Sequence, residues 1–395
     1  MYPHQVERLG DVLEREDIAA LVAATPANVL YLTGFRSLSQ AMYPRTPVFA
    51  VYAASGTALV IPAIDAPAVA AGGIDVDHVF AYGEFFMGFA DDHGGALGDT
   101  GRRTRAWTSS AAATAGDALA AALDALGIKT GAVGLDDAQL GHDVRRRASE
   151  RLAPLVVRPA TASFAHARIV KSPYEIECLD RALHVAEESL NAVIQMLKPG
   201  MTERDAVRRY EEEVGERGGT PEATVIASGD RSALPTIDPS ERAIRTGDLV
   251  RFDLGCVWKG FRGRVARTAV MGEPTERQQR VHEALQAGVE AAIDTISAGA
   301  IAGNIFDAAV AAVRGGGIPE YQRHHVGHGI GLEPYEPPVL ERGGHVEIAL
   351  GAVVTVETPY YEIGWGGANL KDTVLVIRGG ARVLNRSARG LVVLD

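Results

Sequence analysis

Cysteine is nearly missing from this chain of 395 residues, which has only Cys178 and Cys256. Two thiols are too few for a disulfide framework or a thiolate zinc site, and such low usage is typical of reducing compartments. The sequence also lacks the basic region and apolar run of a secretory signal, and no segment approaches the roughly 18 uncharged apolar residues of a membrane-spanning helix. We therefore expect a cytoplasmic protein with no membrane partner.

Positive charge is also in deficit. Lys and Arg total 39 against 50 Asp and Glu, which gives a formal net charge of -11. Nucleic acid is therefore excluded as an expected partner, because binding its phosphate backbone requires a basic surface. Apolar residues form 47% and charged residues 23% of the chain, a balance typical of folded globular domains. At roughly 150 residues per domain, the length favours two or three domains.

The first part of the chain has a strand-like pattern. Between residues 28 and 83, the short apolar runs NVLYLTGF, PVFAVYA, TALVIP and HVFAYG are separated by Gly, Pro and Asp, which predicts strands. Helical patterns follow around residues 116–126 and 142–151. This part should therefore be a sheet covered by helices.

The second part begins with a long helix. The signature of a helix start is formed by Ser172, Pro173 and Glu175. From Ile176 to Leu197 the apolar residues recur every three or four positions, which predicts an amphipathic helix that ends before Pro199. We place the domain boundary just ahead of it and predict domains at residues 1–164 and 165–395.

This second part resembles one unit used twice, at an offset of about 100 residues. Helix starts are expected in matching places of the two copies, near Tyr174, Thr202, Glu276 and Asn304. Each copy then has an apolar strand, GDLVRFD or GAVVTVE, that reaches a carboxylate at its last position, Asp253 or Glu357. The duplication predicts a pseudo-twofold domain whose two carboxylates face one central site.

Asp253, Glu357 and His328 are candidate site residues. A carboxylate in an apolar strand is costly to bury without a cation or donors, so each acid needs a partner, either in a structural ion pair or in a functional site. His328 lies between two glycines, and His324 precedes it in the same segment. The glycines let the backbone approach a ligand and predict an imidazole without large neighbours, so we favour a functional His328 over a core residue.

Several motifs resemble those of the creatinase and aminopeptidase P family, the pita-bread-fold peptidases. ANVLYLTGF and TALVIP resemble the family's N-terminal domain, KSPYEIECLDRA its domain junction, and LKPGMTE, GHGIG and TVETP its later motifs. The resemblance implies an α+β pita-bread C-terminal domain with a pseudo-twofold repeat, preceded by a creatinase-type α/β N-terminal domain. It also implies a homodimer.

The resemblance implies positions for the family's metal ligands. Members that cleave peptides hold two metal ions with two Asp, one His and two Glu, and Asp253, His328 and Glu357 match three of these. Arg264 stands at the second Asp position and Lys371 at the last Glu position. Since cations donate no lone pairs and repel a metal ion, we expect no metal and no other cofactor. The two acids and two cations sum to zero charge, so we expect Arg264 and Lys371 to pair with the acids in place of the metals.

Other family positions are altered as well. Thr236 and Tyr335 stand where the resemblance implies histidines, and we keep Tyr335 as a candidate catalytic residue. Arg45 lies where creatinase-like N-terminal domains reach a neighbouring subunit's site, which makes it a candidate substrate-binding residue; the alternative is a solvated loop arginine. Cys256 is expected to be a small buried hydrophobe rather than a nucleophile.

Three functions remain open from the sequence. We favour a metal-independent enzyme that hydrolyses a C–N bond of a small substrate, or acts as a lyase, with His328 or His324 as acid and base. Arg264 and Lys371 would anchor the substrate and stabilise oxyanion charge. The first alternative is a non-catalytic pita-bread protein that binds another protein. The second is an Xaa-Pro-type metallo-aminopeptidase with a single metal ion on Asp253, His328 and Glu357.

Overall fold

Contacts divide the chain into two compact units, the first ending at Ala167 and the second comprising Arg168–Asp395. The structure is a computed structural model that describes residues 3–395, apart from the side chains of residues 3, 143 and 144. Each unit has its own sheet and its own hydrophobic core.

The first unit is an α/β structure. Its helices are α1 (Pro3–Glu16), α2 (Pro26–Thr33), α3 (Leu38–Met42), α4 (Ala66–Ala71), α5 (Asp99–Ser109), α6 (Ala115–Ala125), α7 (His142–Leu152) and α8 (Thr161–Ala167). Its strands are β1 (Ala20–Ala23), β2 (Phe49–Ala53), β3 (Gly56–Pro62), β4 (His78–Tyr82), β5 (Ala132–Leu135) and β6 (Val156–Pro159). They form one sheet in the order β4-β3-β2-β1-β5-β6. The strands predicted at PVFAVYA, TALVIP and HVFAYG and the two predicted helices are confirmed as β2, β3, β4, α6 and α7.

The strand predicted at NVLYLTGF is wrong, because this run belongs to helix α2. The Thr25 hydroxyl accepts a hydrogen bond from the Asn28 N–H, and Pro26 occupies the first turn. Gly34 ends the helix with φ 71°, in the left-handed region that glycine adopts without strain. These cap signals outweigh the apolar run that suggested a strand.

The second unit contains helices that cover a larger sheet. The helices are α9 (Pro173–Met196), α10 (Glu203–Glu216), α11 (Glu276–Thr295) and α12 (Ala302–Gly315). The strands are β7 (Thr220–Ser228), β8 (Leu249–Trp258), β9 (Phe261–Met271), β10 (His325–Gly329), β11 (Glu336–Glu341), β12 (Val353–Glu357), β13 (Tyr360–Glu362), β14 (Gly366–Ala368), β15 (Lys371–Ile377), β16 (Gly380–Val383) and β17 (Val392–Leu394). The main sheet runs β11-β10-β12-β15-β9-β8-β7, with β16 beside β15 and β17 beside β9.

The order of two helices followed by strands occurs twice in this unit, as the predicted duplication requires. Helix α9 begins after Ser172, which exchanges hydrogen bonds with Glu175 in a capping box. Helices α10 and α11 begin with similar capping boxes. Helix α12 differs, because it begins at Ala302, ahead of the predicted start at Asn304, and Ile301 supplies no side-chain cap.

Strand register brings the two carboxylates of the repeat together. Asp253 on β8 pairs with Ala266 on β9, and Ala266 pairs with Lys371 on β15. Lys371 in turn pairs with Glu357 on β12. The four residues therefore form one row across the middle of the sheet, where the two copies of the repeat meet.

One hydrophobic core of the second unit lies between this sheet and α11 and α12. Leu285, Phe306, Val354 and Leu370 are among its buried side chains. The apolar surface of these helices is thus used for packing within the unit. In the described part of the chain, no helix combines the length and the hydrophobicity needed to cross a membrane.

His282 on α11 is a buried histidine that should make stability depend on pH. Burial lowers its pKa to about 4, and its Nε2 has no hydrogen-bond partner among the described residues. Its side chain therefore stays neutral in the folded chain, while in the unfolded chain it takes up a proton below pH of about 6.5. Stability must fall as the pH drops from about 6.5 toward 4.

We predict that the free energy of unfolding in urea decreases between pH of about 7 and 5.5, with His282 contributing up to about 1.4 kcal/mol per pH unit. His282→Gln should lower this slope. His345→Gln, at an exposed position, is the matched control and should leave it unchanged. Equal slopes for His282→Gln and the parent protein would show that His282 does not cause the dependence.

Candidate functional site

Lys371 lies between the two carboxylates of the repeat. Its Nζ is 2.9 Å from Glu357 Oε2 and 3.2 Å from Asp253 Oδ1. Arg264 adds a second cation, with Nη2 3.2 Å from Asp253 Oδ1. Gly255, opposite Arg264 in the sheet, leaves room for this side chain, because a Cβ there would lie 3.0 Å from Arg264 Cδ. The predicted pairing of the cations with the acids is confirmed, with Lys371 shared by both.

The charges in this row hold one another in the ionised form. Burial alone would raise the pKa of Asp253, but Lys371 and Arg264 outweigh it and lower that pKa. Burial would also raise the pKa of Glu357, and Lys371 again reverses the shift. Burial would lower the pKa of Lys371, whereas Asp253 and Glu357 together raise it. All three groups are therefore charged at neutral pH.

Arg323 is a further cation that the sequence did not single out. Its Nη2 is 3.4 Å from Glu357 Oε1, and its side chain is 20% exposed. Together with Lys371 and Arg264 it sets three cations against the carboxylates of Asp253 and Glu357. The expected balance of two acids and two cations holds for Asp253, Glu357, Arg264 and Lys371, and Arg323 adds one positive charge to it.

His328 lies beside this row but is more enclosed than its glycine neighbours predict. Its ring stacks on Tyr335, with the centroids 3.7 Å apart, and the residue is only 6% exposed. The expectation of an imidazole without large neighbours is wrong, because the glycines lie along the strand while the bend before β11 brings the Tyr335 ring over its face. Burial lowers the pKa of His328 to about 4. Nδ1 is 2.9 Å from the Gly329 carbonyl, so it donates there and the neutral ring keeps Nε2 as an acceptor.

The two neighbouring histidines occupy different places. His325 Nδ1 is 3.8 Å from Glu357 Oε1, and its ring meets Tyr335 edge-on at 5.4 Å. His324 is exposed and lines a cleft with Gln322, Arg323 and Arg342. The structure thus brings His325, which the sequence did not single out, to the centre, and places the predicted His324 outside it. His324 was singled out by its spacing from His328. That spacing does not show that β10 begins at His325.

Three further residues were singled out in the sequence: Arg45, Thr236 and Cys256. Arg45 lines a largely apolar groove of about 810 Å³ in the first unit, together with Tyr43 and Phe85. Thr236 is exposed. Cys256 is fully buried, and burial raises its thiol pKa to about 11, which confirms the expectation of a buried small hydrophobe.

The sequence model of metallopeptidase family M24 matches residues 177–378, and that of the creatinase/prolidase N-terminal domain matches residues 5–170. The chain belongs to metallopeptidase family M24. The predicted family is thereby confirmed, and the second unit is its pita-bread domain.

Curated relatives within this family include named peptidases. The Xaa-Pro dipeptidase of Pyrococcus furiosus is 33% identical over 227 residues, which make up 57% of this chain and 65% of the relative. The Xaa-Pro dipeptidase of Lactobacillus delbrueckii is 29% identical over 233 residues, or 58% and 63% of the two chains. The matched region thus covers less than two thirds of each of these M24 relatives.

Solved M24 structures share the fold over nearly the full length. The Xaa-Pro dipeptidase from Bacillus anthracis superposes with a TM-score of 0.82 at 21% identity and covers 99% of both chains. The X-Pro aminopeptidase from Thermotoga maritima has a TM-score of 0.80 at 23% identity and covers 98% of this chain. At such identities the likeness shows the fold alone, and it confirms a creatinase-type domain followed by a pita-bread domain.

The relatives overturn the favoured sequence prediction of a metal-independent hydrolase or lyase. They carry the names of Xaa-Pro dipeptidases in a metallopeptidase family, so they favour the peptidase alternative instead. The prediction failed because a balance of charges describes how a centre is stabilised and does not specify a reaction.

The M24 metal pair does not fit the side chains of this centre. Asp253, His328 and Glu357 keep ligand-type groups, but Lys371 Nζ lies within ion-pair distance of both carboxylates. A metal ion between them would meet the ammonium and guanidinium charges at short range in a buried site. Within residues 3–395, apart from the undescribed side chains, no group of three His, Cys, Asp or Glu residues is arranged to hold a metal ion.

We predict that Lys371→Met destabilises the protein by about 3 to 5 kcal/mol, because it leaves two buried carboxylates without their shared cation. Lys198→Met, an equal change at an exposed position, should alter the free energy of unfolding by less than about 0.5 kcal/mol. Urea denaturation of both variants measures the contrast. If the Lys371→Met and Lys198→Met proteins have the same free energy of unfolding, the ion pairs of Lys371 contribute nothing to stability.

Proposed function

We propose that this M24 protein binds short peptides of the Xaa-Pro class at the centre formed by Asp253, Lys371 and Glu357. The names of the curated relatives support this class of ligand. The side chains around the row also suit a peptide, because they offer fixed donors for carbonyl groups and His328 Nε2 as an acceptor for an amide N–H.

One observation carries the proposal of binding without metal-dependent cleavage. Lys371 Nζ pairs with both carboxylates at 2.9 and 3.2 Å, so the groups that hold metal in the family's peptidases are neutralised internally. A buried ion pair of this kind is costly to open, because each carboxylate would lose its partner. The geometry therefore favours a peptide-binding member of the family.

Hydrolysis of the same peptides is the second candidate, and the relatives' names favour it. Asp253, His328 and Glu357 are the side chains that would hold a single metal ion in this case. Such a site requires Lys371 Nζ to leave the space between the two carboxylates. Binding and hydrolysis share the ligand class and differ in this one requirement.

We predict that the purified protein binds Leu-Pro saturably by calorimetry and releases no proline above the buffer control, with or without added Mn²⁺. Pro-Leu, with the same composition in reverse order, should bind at least about tenfold more weakly. Release of proline that depends on Mn²⁺ would establish the second candidate. If neither peptide binds and neither is cleaved, both candidate functions are wrong.

Arg264→Asp combined with Lys371→Glu provides the charge test within the same experiment. This variant recreates four carboxylates around the centre and should take up Mn²⁺, measured by elemental analysis after gel filtration. The parent protein should retain well under one equivalent. Arg382→Asp with Lys198→Glu makes the same change of charge at exposed positions and should behave like the parent.

We further propose a cytoplasmic homodimer. The family resemblance supports the dimer, as do the exposed apolar side chains of Met42, Tyr43 and Phe86 in the first unit, which are 67, 61 and 92% exposed. Two free, buried cysteines support a reducing compartment.

Light scattering at micromolar concentrations should give the mass of two chains, and Phe86→Asp should shift the protein toward one chain. Ile363→Asp changes an apolar residue of the second unit that is 78% exposed, and this variant should remain dimeric. A parent protein with the mass of one chain throughout this range contradicts the dimer.

A further inference from the structure

A second groove lies on the surface of the second unit, between the first half of α9 and the turn that joins β8 to β9. It has a volume of about 510 Å³, which is in the range of small-molecule sites. The row of Asp253, Lys371 and Glu357 contributes no residue to its lining. The groove is therefore a separate place at which this unit can hold a ligand.

Two aromatic rings of this groove each have a cation beside them. The guanidinium carbon of Arg181 lies 5.1 Å from the centroid of the Trp258 ring, and Lys259 Nζ lies 5.8 Å from that of Tyr174. Both cations are exposed, and in the part of the chain that the structure describes neither has a carboxylate within ion-pair distance. Their N–H groups are therefore available to an anionic ligand.

The backbone at Lys259 is unusual for a lysine. Trp258 pairs with Phe261, so Lys259 and Gly260 form a two-residue hairpin turn with φ 50° and 88°. A turn with two positive φ angles favours Asn, Asp or Gly at its first position, and lysine is held there against that preference. Backbone strain of this kind is concentrated at functional sites, which fits a role for the Lys259 ammonium in the groove.

Trp258 provides a fixed flat surface. Gly218, with φ 77°, lies against the edge of the ring, where a Cβ would be 3.2 Å from Trp258 Cζ3. The ring is nevertheless partly exposed. On the facing side of the groove Glu177 is exposed, and no cation pairs with it among the described residues. Its carboxylate can accept hydrogen bonds from hydroxyl groups.

We infer that this groove binds a nucleoside phosphate. Aromatic rings and guanidinium planes stack on nucleobases, which assigns the base to Trp258 and Arg181. A lysine ammonium binds phosphate as a point charge, which assigns the phosphate to Lys259. A carboxylate accepts hydrogen bonds from ribose hydroxyls, which assigns the sugar to Glu177. A single nucleotide needs no extended basic surface, so this ligand is compatible with a formal net charge of -11.

The test titrates AMP into the full chain by calorimetry. AMP should bind saturably, whereas adenosine and inorganic phosphate, each of which lacks one part of it, should bind at least about tenfold more weakly. Leu-Pro at saturating concentration should not displace AMP, because the groove and the row share no residue.

Lys259→Asn separates binding from folding. Asparagine suits a positive φ better than lysine does, so the variant should be at least as stable in urea while its affinity for AMP falls about tenfold. Lys198→Asn, at an exposed position outside the groove, should keep the affinity of the parent. Trp258→Leu should weaken AMP binding about tenfold, whereas Trp258→Phe retains a ring and should bind like the parent.

Each result decides the assignment. No saturable binding of AMP, or a Lys259→Asn affinity within twofold of the parent, overturns the site. Inorganic phosphate that binds as tightly as AMP shows a simple anion site and overturns the nucleotide, and adenosine that binds as tightly overturns the role of Lys259. Displacement of AMP by Leu-Pro places the nucleotide at the centre and overturns the groove, whereas failure of Leu-Pro to bind contradicts the proposed function alone.

Discussion

The ammonium group of Lys371 is the constraint on which the centre of this protein depends. It lies on the strand pair that joins the two halves of the pita-bread sheet, where Lys371 is opposite Ala266. On one side it meets Glu357 and on the other Asp253, so two carboxylates that would otherwise repel each other in a buried site share one cation. The charge of Lys371 and the register of the strands support each other, because displacing either one would remove the cation that the two buried carboxylates share.

The same strands are fixed by charge on their opposite face. Side chains alternate along a strand, so Asp372 points away from Lys371 and pairs with Arg267 at 2.8 Å and with Arg389 at 2.5 Å. Asp372 and Arg267 are both buried. Ion pairs on both faces restrict sliding of β15 against β9, because a shift by one residue would exchange the two sets of side chains. The donors of the centre are therefore held in place before a ligand arrives.

Sequence reasoning succeeded where the signal was local. The capping box at Ser172 and Glu175 fixes the start of α9 through hydrogen bonds within four residues. The matching carboxylates Asp253 and Glu357 could be found from the sequence repeat alone, although β8 continues beyond Asp253 to Trp258 whereas β12 ends at Glu357. It failed where a distant element decided the outcome. Nothing near His328 in the sequence shows that the bend before β11 places Tyr335 over its ring. The residues around the start of β10 also lack an alternation that would have distinguished Arg323 and His325 from His324.

The substitutions at the family's metal positions are coupled through this geometry. Without metal ions, four carboxylates in one buried row would have a summed charge of -4, and exchange of one of them for a cation would still leave -2. Every remaining acid has a partner only when the carboxylates at both positions, 264 and 371, are replaced by cations. Arg264 then pairs with Asp253, and Lys371 pairs with both Asp253 and Glu357. Coupled charges of this kind are non-additive, so the effects of the two substitutions made singly do not sum to the effect of the pair. Arg323 then brings the centre beyond neutrality through its contact with Glu357. The fold can thus be stable without metal ions while the excess positive charge remains available to a ligand.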